Sequence, residues 1–329
     1  MRTNLILTLI LAVLVPLSLL AGRVWIDPFH AHEAGGNAAL ILMELRLPRA
    51  ILAVVLGAGL GAAGAAMQGY LRNPLADPGL FGIAPMAALG AVMWLWVGAA
   101  APVDLASYGL PIFALIGAAL GMALLAAIAG RTPSGAGGGI ALFTLAGLMI
   151  ASLAGALTAL AITLAPNAFA MSQIVLWLNG ALTDRSWDEV WIAVPLTLAG
   201  ITTLIFASRA LDALTLGEDA ARSMGIDPKR LLILLVIGVG LSVGAGVAVA
   251  GIIGFVGLIV PHLVRPLTDK MPSSLIVPSA LAGGALVLVA DCAVRILPLV
   301  TELRLGIALS LIGAPFFLML LIRMRRGQI

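Results

Sequence analysis

Long apolar stretches divide this 329-residue chain, and short polar connections separate them. Ten of the stretches approach the roughly 20 residues that a helix needs to cross a bilayer. They are predicted at 5–22, 47–71, 85–101, 109–129, 140–165, 190–208, 231–250, 253–267, 276–297 and 305–324. The eighth is short and contains Pro261, so a break is expected there. The pattern predicts an all-α integral membrane protein, a polytopic bundle that forms one transmembrane domain over residues 1–329.

The composition agrees with a membrane protein. Hydrophobic residues make up 62% of the chain and charged residues 10%, whereas soluble domains have about 25% charged residues. The apolar stretches lack the strict alternation of membrane β-strands, which favours helices over a barrel. The first stretch follows Arg2 and ends at the small residues Ala21 and Gly22, as in a signal peptide. We interpret it as a first membrane helix, because many more spans follow it.

The Lys and Arg residues indicate an orientation. If ten spans follow a cytoplasmic N-terminus, twelve of the 18 Lys and Arg residues fall on the cytoplasmic side and six on the outer side. This excess agrees with the positive-inside rule, and an added or missing span would remove it. Both termini are therefore expected in the cytoplasm.

Glycines recur at four-residue spacing inside three predicted spans, which lets helix backbones approach closely. The pairs are Gly57 and Gly61, Gly117 and Gly121, and Gly240 and Gly244. This spacing predicts a tightly packed bundle. No convincing internal repeat is visible, which weakens the hypothesis of an inverted-repeat carrier.

A stiff polar stretch, YLRNPLADPGLFGI, separates the second and third predicted spans at residues 70–83. Pro74 fixes its own φ and pushes Asn73 out of the α region. The side chains of Asn73 and Asp77 can satisfy backbone groups of such a turn. Because a turn at membrane depth is tolerated where it is buried in protein or lines a cavity, this one is either part of an inner gate or a purely structural turn.

The longest polar connection, about residues 208–232, falls on the predicted cytoplasmic side. Within it, LGEDAARSMG is typical of a short helix, with Glu218 and Asp219 in its first turn and Gly225 at its end. Asp227 and Pro228 then begin the next helix. The short helix is either a solvated connector or a docking surface for a cytoplasmic partner.

No catalytic or cofactor motif is evident. A P-loop needs a Gly-rich stretch that ends in Lys and then Ser or Thr, and the two lysines, Lys229 and Lys270, stand in no such stretch. The chain is therefore not expected to hydrolyse ATP by that mechanism. Three histidines, His30, His32 and His262, are too scattered for an obvious metal site, and a single cysteine excludes an internal disulfide.

Charged groups avoid the centres of the predicted spans. A self-sufficient carrier or channel would need ion-coupling groups there, and an intramembrane enzyme would have to use His262 or Asp291; both hypotheses stay as remoter alternatives. Asp291 and Arg295 lie four residues apart near an outer helix end and can pair on one face. Arg46 and Arg49 lie on the outer side and either contact lipid headgroups or bind a partner that carries carboxylates; their place against the positive-inside tendency favours the partner.

Seven stretches occur in a characteristic order. They are RLPR (46–49), GAGLGAAGAAMQ (57–68), RNPLADPGLFGI (72–83), LTLGEDAARSMGI (214–226), GIIGFVGLIVPHLVR (251–265), LVLVADCAVR (286–295) and ELRLGIALSLIGAPFFLMLL (302–321). The ordered set resembles the FecCD-type permeases of ABC importers, which carry iron-siderophores, haem and cobalamin (vitamin B12). The resemblance runs from about Arg46 to the C-terminus and includes a typical first span.

This resemblance implies a type II ABC importer permease fold with ten transmembrane helices per subunit. It implies a homodimer around a central path in the bacterial inner membrane. Two separate cytoplasmic ATPase subunits would bind ATP and Mg²⁺, and a periplasmic binding protein would deliver the substrate. This chain would then be non-catalytic, with no cofactor of its own. It would translocate an iron chelate, either a ferric siderophore or haem, with cobalamin as the alternative.

The resemblance also implies roles for residues at matching positions. The ATPase-coupling residues are Leu216, Gly217, Glu218, Ala221 and Gly225. The residues that pair with acidic groups of the binding protein are Arg46, Arg49 and Arg295. The residues of the path and its gate are Gln68, Asn73, Pro74, Gly313 and Pro315.

Two positions depart from the family pattern. Arg304 stands where the family usually has proline, which adds a positive charge at the outer mouth. Lys270 and Met271 stand where the family usually has Gly and an Asp-His pair. No residue discriminates among the chelates, because path walls in this family are apolar and the binding protein largely sets the choice.

Overall fold

The structure, a computed structural model, describes residues 2–22, 36–97, 103–130 and 139–325. In these ranges the chain forms helices joined by turns, and no strand occurs. The helices are α1 (Arg2–Leu20), α2 (Gly36–Leu40), α3 (Leu47–Leu71), α4 (Ile83–Val97), α5 (Val103–Ala129), α6 (Gly139–Thr163), α7 (Ala168–Leu178), α8 (Trp187–Leu214), α9 (Glu218–Ser223), α10 (Pro228–Ala250), α11 (Val256–Val264), α12 (Pro272–Ile296) and α13 (Leu305–Arg325). A π-helical turn, Ile41–Arg46, leads α2 into α3.

Each predicted span coincides with a helix, which confirms the all-α membrane fold. Among the described residues, eight helices are long and apolar enough to cross a membrane. The third and eighth predicted spans correspond to the shorter apolar helices α4 and α11. The apolar pattern does not predict α7, because this 11-residue helix is shorter than the apolar window of about 20 residues that defines a span.

Several helices begin at side chains that accept backbone N–H bonds. Ser186 and Glu189 form a capping box at α8, in which the Ser186 N–H donates to Glu189 at 2.8 Å. Asp227 caps α10 by accepting from the Lys229 N–H at 2.9 Å, as the Asp-Pro pair predicts. Gly225, with a φ of 83°, follows α9 where the sequence predicts its end.

The helix α3 lies inside the bundle and contacts the backbones of α11 and α12 directly. A Cβ atom added at Gly61 would lie 2.0 Å from the Ser279 carbonyl oxygen, and one at Gly64 would lie 1.9 Å from the Gly257 carbonyl oxygen. Gly57 approaches α12 equally closely. The other predicted glycines, in α5 and α10, also lie at helix contacts, so the predicted tight packing is confirmed.

Polar residues gather at the two ends of the bundle. The α9 end holds α9, the turn after α3 and the start of α12, where Asp212 of α8 accepts from the Ser273 N–H at 2.8 Å. The opposite end holds the start of α3, the end of α12 and the segment before α13. His30, His32 and the glycine-rich residues 131–138 lie outside the described residues.

We expect Gly61→Ala to destabilise the bundle, because the new methyl group would meet the Ser279 carbonyl oxygen. Overpacking costs about 1–3 kcal/mol, which outweighs the roughly 1 kcal/mol gained by replacing a mid-helix glycine. Gly155→Ala is the matched control, since nothing lies within 4 Å of its added Cβ. Thermal unfolding of the purified variants measures both effects, and equal midpoints would contradict the close contact between α3 and α12.

Candidate functional site

A buried ion cluster lies at the end opposite α9. Asp291 is fully buried between two guanidinium groups: Arg49 donates from Nε to its Oδ1 at 2.9 Å, and the Arg295 Nε lies 3.0 Å from its Oδ2. Arg49 also pairs with Glu302, in the segment before α13. Two positive and two negative charges therefore balance, as burial of ionic groups requires. The predicted pairing of Asp291 with Arg295 is confirmed.

The arginines of this end also hold α1. The Arg295 Nη1 donates to the Ala21 carbonyl oxygen at 3.0 Å, and its Nη2 lies 3.2 Å from the Cys292 Sγ. The Arg46 Nη1 donates to the Leu19 carbonyl oxygen at 2.6 Å. All three arginines assigned to the binding protein thus lie at one end, where they hold groups of this chain. Their contact with a binding protein stays a prediction.

The residues assigned to ATPase coupling lie together at the α9 end. Ala221 is buried and seats α9 on the bundle, while Leu216 is 68% exposed. Gly217 and Gly225 have φ values of 105° and 83°, a conformation that favours glycine, and they set the turns before and after α9. Glu218 begins α9, where a carboxylate interacts favourably with the helix dipole. The predicted short helix is confirmed, and its coupling role stays a prediction.

Two polar side chains shape the turn after α3. The Asn73 Oδ1 accepts from the Leu75 N–H at 3.0 Å, and the Asp77 Oδ1 accepts from the Gly79 N–H at 2.8 Å. Asp77 also accepts a backbone bond from Phe255, just before α11. Burial raises the pKa of the Asp77 carboxyl above its ordinary value, and the two backbone bonds oppose this rise. Asp77 therefore ties the turn to the break between α10 and α11.

That break consists of residues 251–255, which are not helical. The prediction of a break at Pro261 is wrong, since Pro261 lies inside α11. Gly251 has a φ of 75° and Phe255 a φ of 67°, which is an outlier for a bulky residue. A mostly apolar cavity of about 410 Å³ lies against the break, with Asp77 in its lining. Non-helical backbone at membrane depth is tolerated beside such a cavity.

The residues assigned to the path lie in separate places. Gln68, Asn73 and Pro74 line one cavity at the α9 end. Gly313 packs against the aromatic ring that precedes α11, and Pro315 is exposed on α13. The structure thus brings three of the five together, and their role in gating stays a prediction.

Sequence reasoning missed the partners of Gln68. This side chain is buried; the Arg265 Nη2 donates to its Oε1 at 2.8 Å, and its Nε2 donates to the Gly257 carbonyl oxygen at 3.4 Å. His262, Arg265 and Lys270 line the same cavity as Gln68. No local signal could have found these partners, because Gln68 and Arg265 lie 197 positions apart in the sequence.

The pattern of motifs and helices matches a known family. The model of the FecCD transport family matches residues 10–323. The chain belongs to the FecCD transport family. A solved structure described as an inward-facing conformation of a metal-chelate type ABC transporter has a TM-score of 0.86 and 28% identity, and the match covers 98% of this chain and 99% of that one.

The names of curated relatives give several different cargoes. The hemin transport system permease protein HmuU of Yersinia pestis is 35% identical, over 88% of this chain and 85% of its own length. The vitamin B12 import system permease protein BtuC of Serratia proteamaculans is 36% identical, over 98% and 93%. The Fe(3+) dicitrate transport system permease protein FecD of Escherichia coli is 35% identical, over 89% and 88%.

We expect Asp291→Asn to destabilise the protein by about 3 kcal/mol, because it leaves two buried guanidinium groups with a deficit of negative charge. Asp188→Asn, at an exposed position in the first turn of α8, is the control and should change stability by a few tenths of a kcal/mol. Chemical denaturation in detergent compares the two. Equal effects would contradict a stabilising role for the ion cluster.

The Asp77 carboxyl should give stability a pH dependence. Its pKa is higher in the folded state than the ordinary value of 3.8, so the folded state holds the proton longer and stability falls as pH rises between the two values. Asp77→Asn keeps an acceptor oxygen and carries no proton to lose, so this variant should lack that fall. Thermal midpoints across the acid range test this, and identical profiles for the two proteins would refute it.

Proposed function

We propose that this chain is the transmembrane permease subunit of an ABC importer and that it carries an iron chelate, a ferric siderophore or haem, into the cell. Two copies form a homodimer around the path in the bacterial inner membrane, with both termini in the cytoplasm. Two separate ATPase subunits bind the cytoplasmic face, which is the α9 end, and a periplasmic binding protein docks on the opposite end. Membership of the FecCD transport family supports this proposal.

The observation that carries the proposal is the surface around α9. Leu216 and Met224 flank the helix and are 68% and 61% exposed, beside the carboxylates of Glu218 and Asp219. Exposed apolar side chains among charged ones favour a protein partner. Force applied to α9 reaches the bundle through the buried Ala221, so closure of the ATPase pair can bias a bundle that has two states.

The ion cluster supports docking of the binding protein at the end opposite α9, because Arg49 can exchange one carboxylate partner for another. The Glu302 side chain is 24% exposed, whereas that of Asp291 is fully buried. A carboxylate of the binding protein that reaches Arg49 therefore competes with Glu302 and leaves Asp291 in place. Such an exchange keeps the charge of Arg49 balanced and releases the segment before α13.

The named cargoes of the relatives support a metal chelate. Hemin and ferric dicitrate appear in the names of two relatives, which favours an iron chelate. Cobalamin is the second candidate, and the match to a vitamin B12 permease over 98% of this chain favours it.

We expect ATP-dependent uptake when the chain is reconstituted with its ATPase and binding protein in liposomes. Radiolabelled ferric citrate, a ferric siderophore, haem and cobalamin are offered separately, and an iron chelate should accumulate fastest. Omission of the ATPase should abolish uptake. Accumulation that persists without ATPase or ATP would establish a self-sufficient carrier instead, and uptake of cobalamin alone would establish the second candidate.

Glu218→Arg should lower uptake by at least about tenfold, since about 1.4 kcal/mol of lost docking energy has that effect. The amount of protein in the membrane should not change. Arg230→Glu is the matched control, because it reverses a charge at the same end on a side chain that is 86% exposed. Wild-type uptake by the Glu218 variant, or equal losses in both variants, would show that α9 is not the docking surface.

A further inference from the structure

A cavity of about 430 Å³ opens at the α9 end between the end of α3, the turn that follows it and the residues around α11. Its lining includes four basic side chains: Arg72, His262, Arg265 and Lys270. None of the described residues in the lining is Asp or Glu. We call this cavity the basic pocket. Its charge contrasts with the balanced ion cluster at the opposite end.

Two buried nitrogen atoms of the basic pocket have no hydrogen-bond partner among the described residues. The Nδ1 of His262 and the Nε of Arg265 are buried and lack a hydrogen-bond partner. Gln68 holds the guanidinium in place by accepting from the Arg265 Nη2 at 2.8 Å, and this bond leaves the Nε unused. A buried donor without a partner is unfavourable, so an anion that enters the pocket and accepts from the Arg265 Nε removes that penalty.

The backbone at two of the four basic residues is strained. Arg72 has a φ of 50° and Lys270 a φ of 68°, in the left-handed region that favours Gly or Asn. The described chain has four residues other than glycine with positive φ, and these two both line the basic pocket. Strain of this kind clusters at functional sites. At both turns a long cationic side chain stands where Gly or Asn would carry less strain.

Two aspartates adjoin the basic pocket, and both bond to neighbouring groups of the chain. Asp269 precedes Lys270, but it accepts from the Ser274 hydroxyl and from the Met271 N–H at 3.0 Å. Asp212 accepts from the Ser273 N–H. Neither aspartate belongs to the lining of the cavity.

We propose that the basic pocket is an oxyanion site that receives the carboxylate groups of an anionic metal chelate at the end of the path. This inference rests on the proposed function, since the same cavity is lined by Gln68, Asn73 and Pro74, the residues assigned to the path. Its volume lies within the range of about 300–1,000 Å³ of small-molecule sites. Arginine and lysine are the usual partners of carboxylates and phosphates, so a lipid phosphate is the competing source of the same chemistry.

Binding of a tricarboxylate tests the pocket directly. Radiolabelled citrate, and separately inorganic phosphate, is dialysed against the permease in nanodiscs of phosphatidylcholine. The double variant Arg72→Asn with Lys270→Asn removes two charges and keeps a residue that tolerates positive φ. We expect saturable citrate binding in the wild type and a Kd at least about tenfold weaker in the double variant. Lys229→Asn with Arg230→Asn removes two charges at the same end, outside the pocket, and should leave the Kd unchanged.

Three outcomes overturn the proposal. One is absence of saturable citrate binding in the wild type. Another is an equal loss in both double variants, which would mean that only the net charge matters. The third is displacement of citrate by phosphatidylglycerol in the nanodisc together with equally tight phosphate binding, which would make the pocket a lipid headgroup site.

Uptake by the assembled transporter separates this proposal from the proposed function. If the wild type imports no chelate, the proposed function fails whatever the citrate result. If the wild type imports an anionic chelate and the double variant at Arg72 and Lys270 imports it equally fast, the pocket assignment fails alone. We expect slower import of the anionic chelate by the double variant, with unchanged stimulation of the ATPase by the binding protein.

Discussion

The near contact between the backbone of α3 and those of α11 and α12 is the constraint on which the bundle depends. Apolar burial does not drive helices together in lipid, because lipid tails are as apolar as leucine, so close packing has to do so. The glycines Gly57, Gly61 and Gly64 provide that packing along one face of α3. The 25 residues of α3 span about 37 Å, with Arg49 near one end and Gln68 near the other. The ion cluster and the basic pocket are therefore attached to one well-packed helix.

The same contact explains how α11 is held although it is only nine residues long. Pro261 supplies no N–H, so the Gly257 carbonyl oxygen lacks its helical partner, and the Gln68 side chain donates to it instead. At its other end, α11 is joined to the turn after α3 through Asp77 and Phe255. A short helix with non-helical residues before it can move as a unit about those residues. Gln68 and Asp77 are the side chains that resist such movement.

The features that depend on neighbouring residues could be predicted from the sequence, whereas most contacts between distant residues could not. The lengths of the apolar stretches predicted ten helices. Gly225 predicted the end of α9, and the Asp-Pro pair that begins at residue 227 predicted the start of α10, because helix caps depend on neighbouring residues. The break between α10 and α11 was predicted at the wrong residue, because the side chain of Gln68, which is distant in the sequence, donates to the carbonyl oxygen that Pro261 leaves without a partner. Glu302 was not linked to Arg49, and Gln68 was not linked to Arg265, for the same reason: each pair is distant in the sequence and meets only in the folded bundle.

Among the described residues, the buried charged side chains at one end of the bundle are paired with opposite charges, whereas those that line the cavity at the other end are not. This difference limits how fixed charges can act on an anionic substrate. Buried charges at the Arg49 end are balanced within the chain, so anions gain little there unless they replace Glu302. The three cationic side chains of the basic pocket, Arg72, Arg265 and Lys270, have no carboxylate among the described residues that line their cavity, and they attract anions. A fixed field of this kind changes how long an anion stays at each end, but it does no net work over a complete cycle. Direction therefore has to come from an energy source outside this chain, and α9 is the element that we propose receives it.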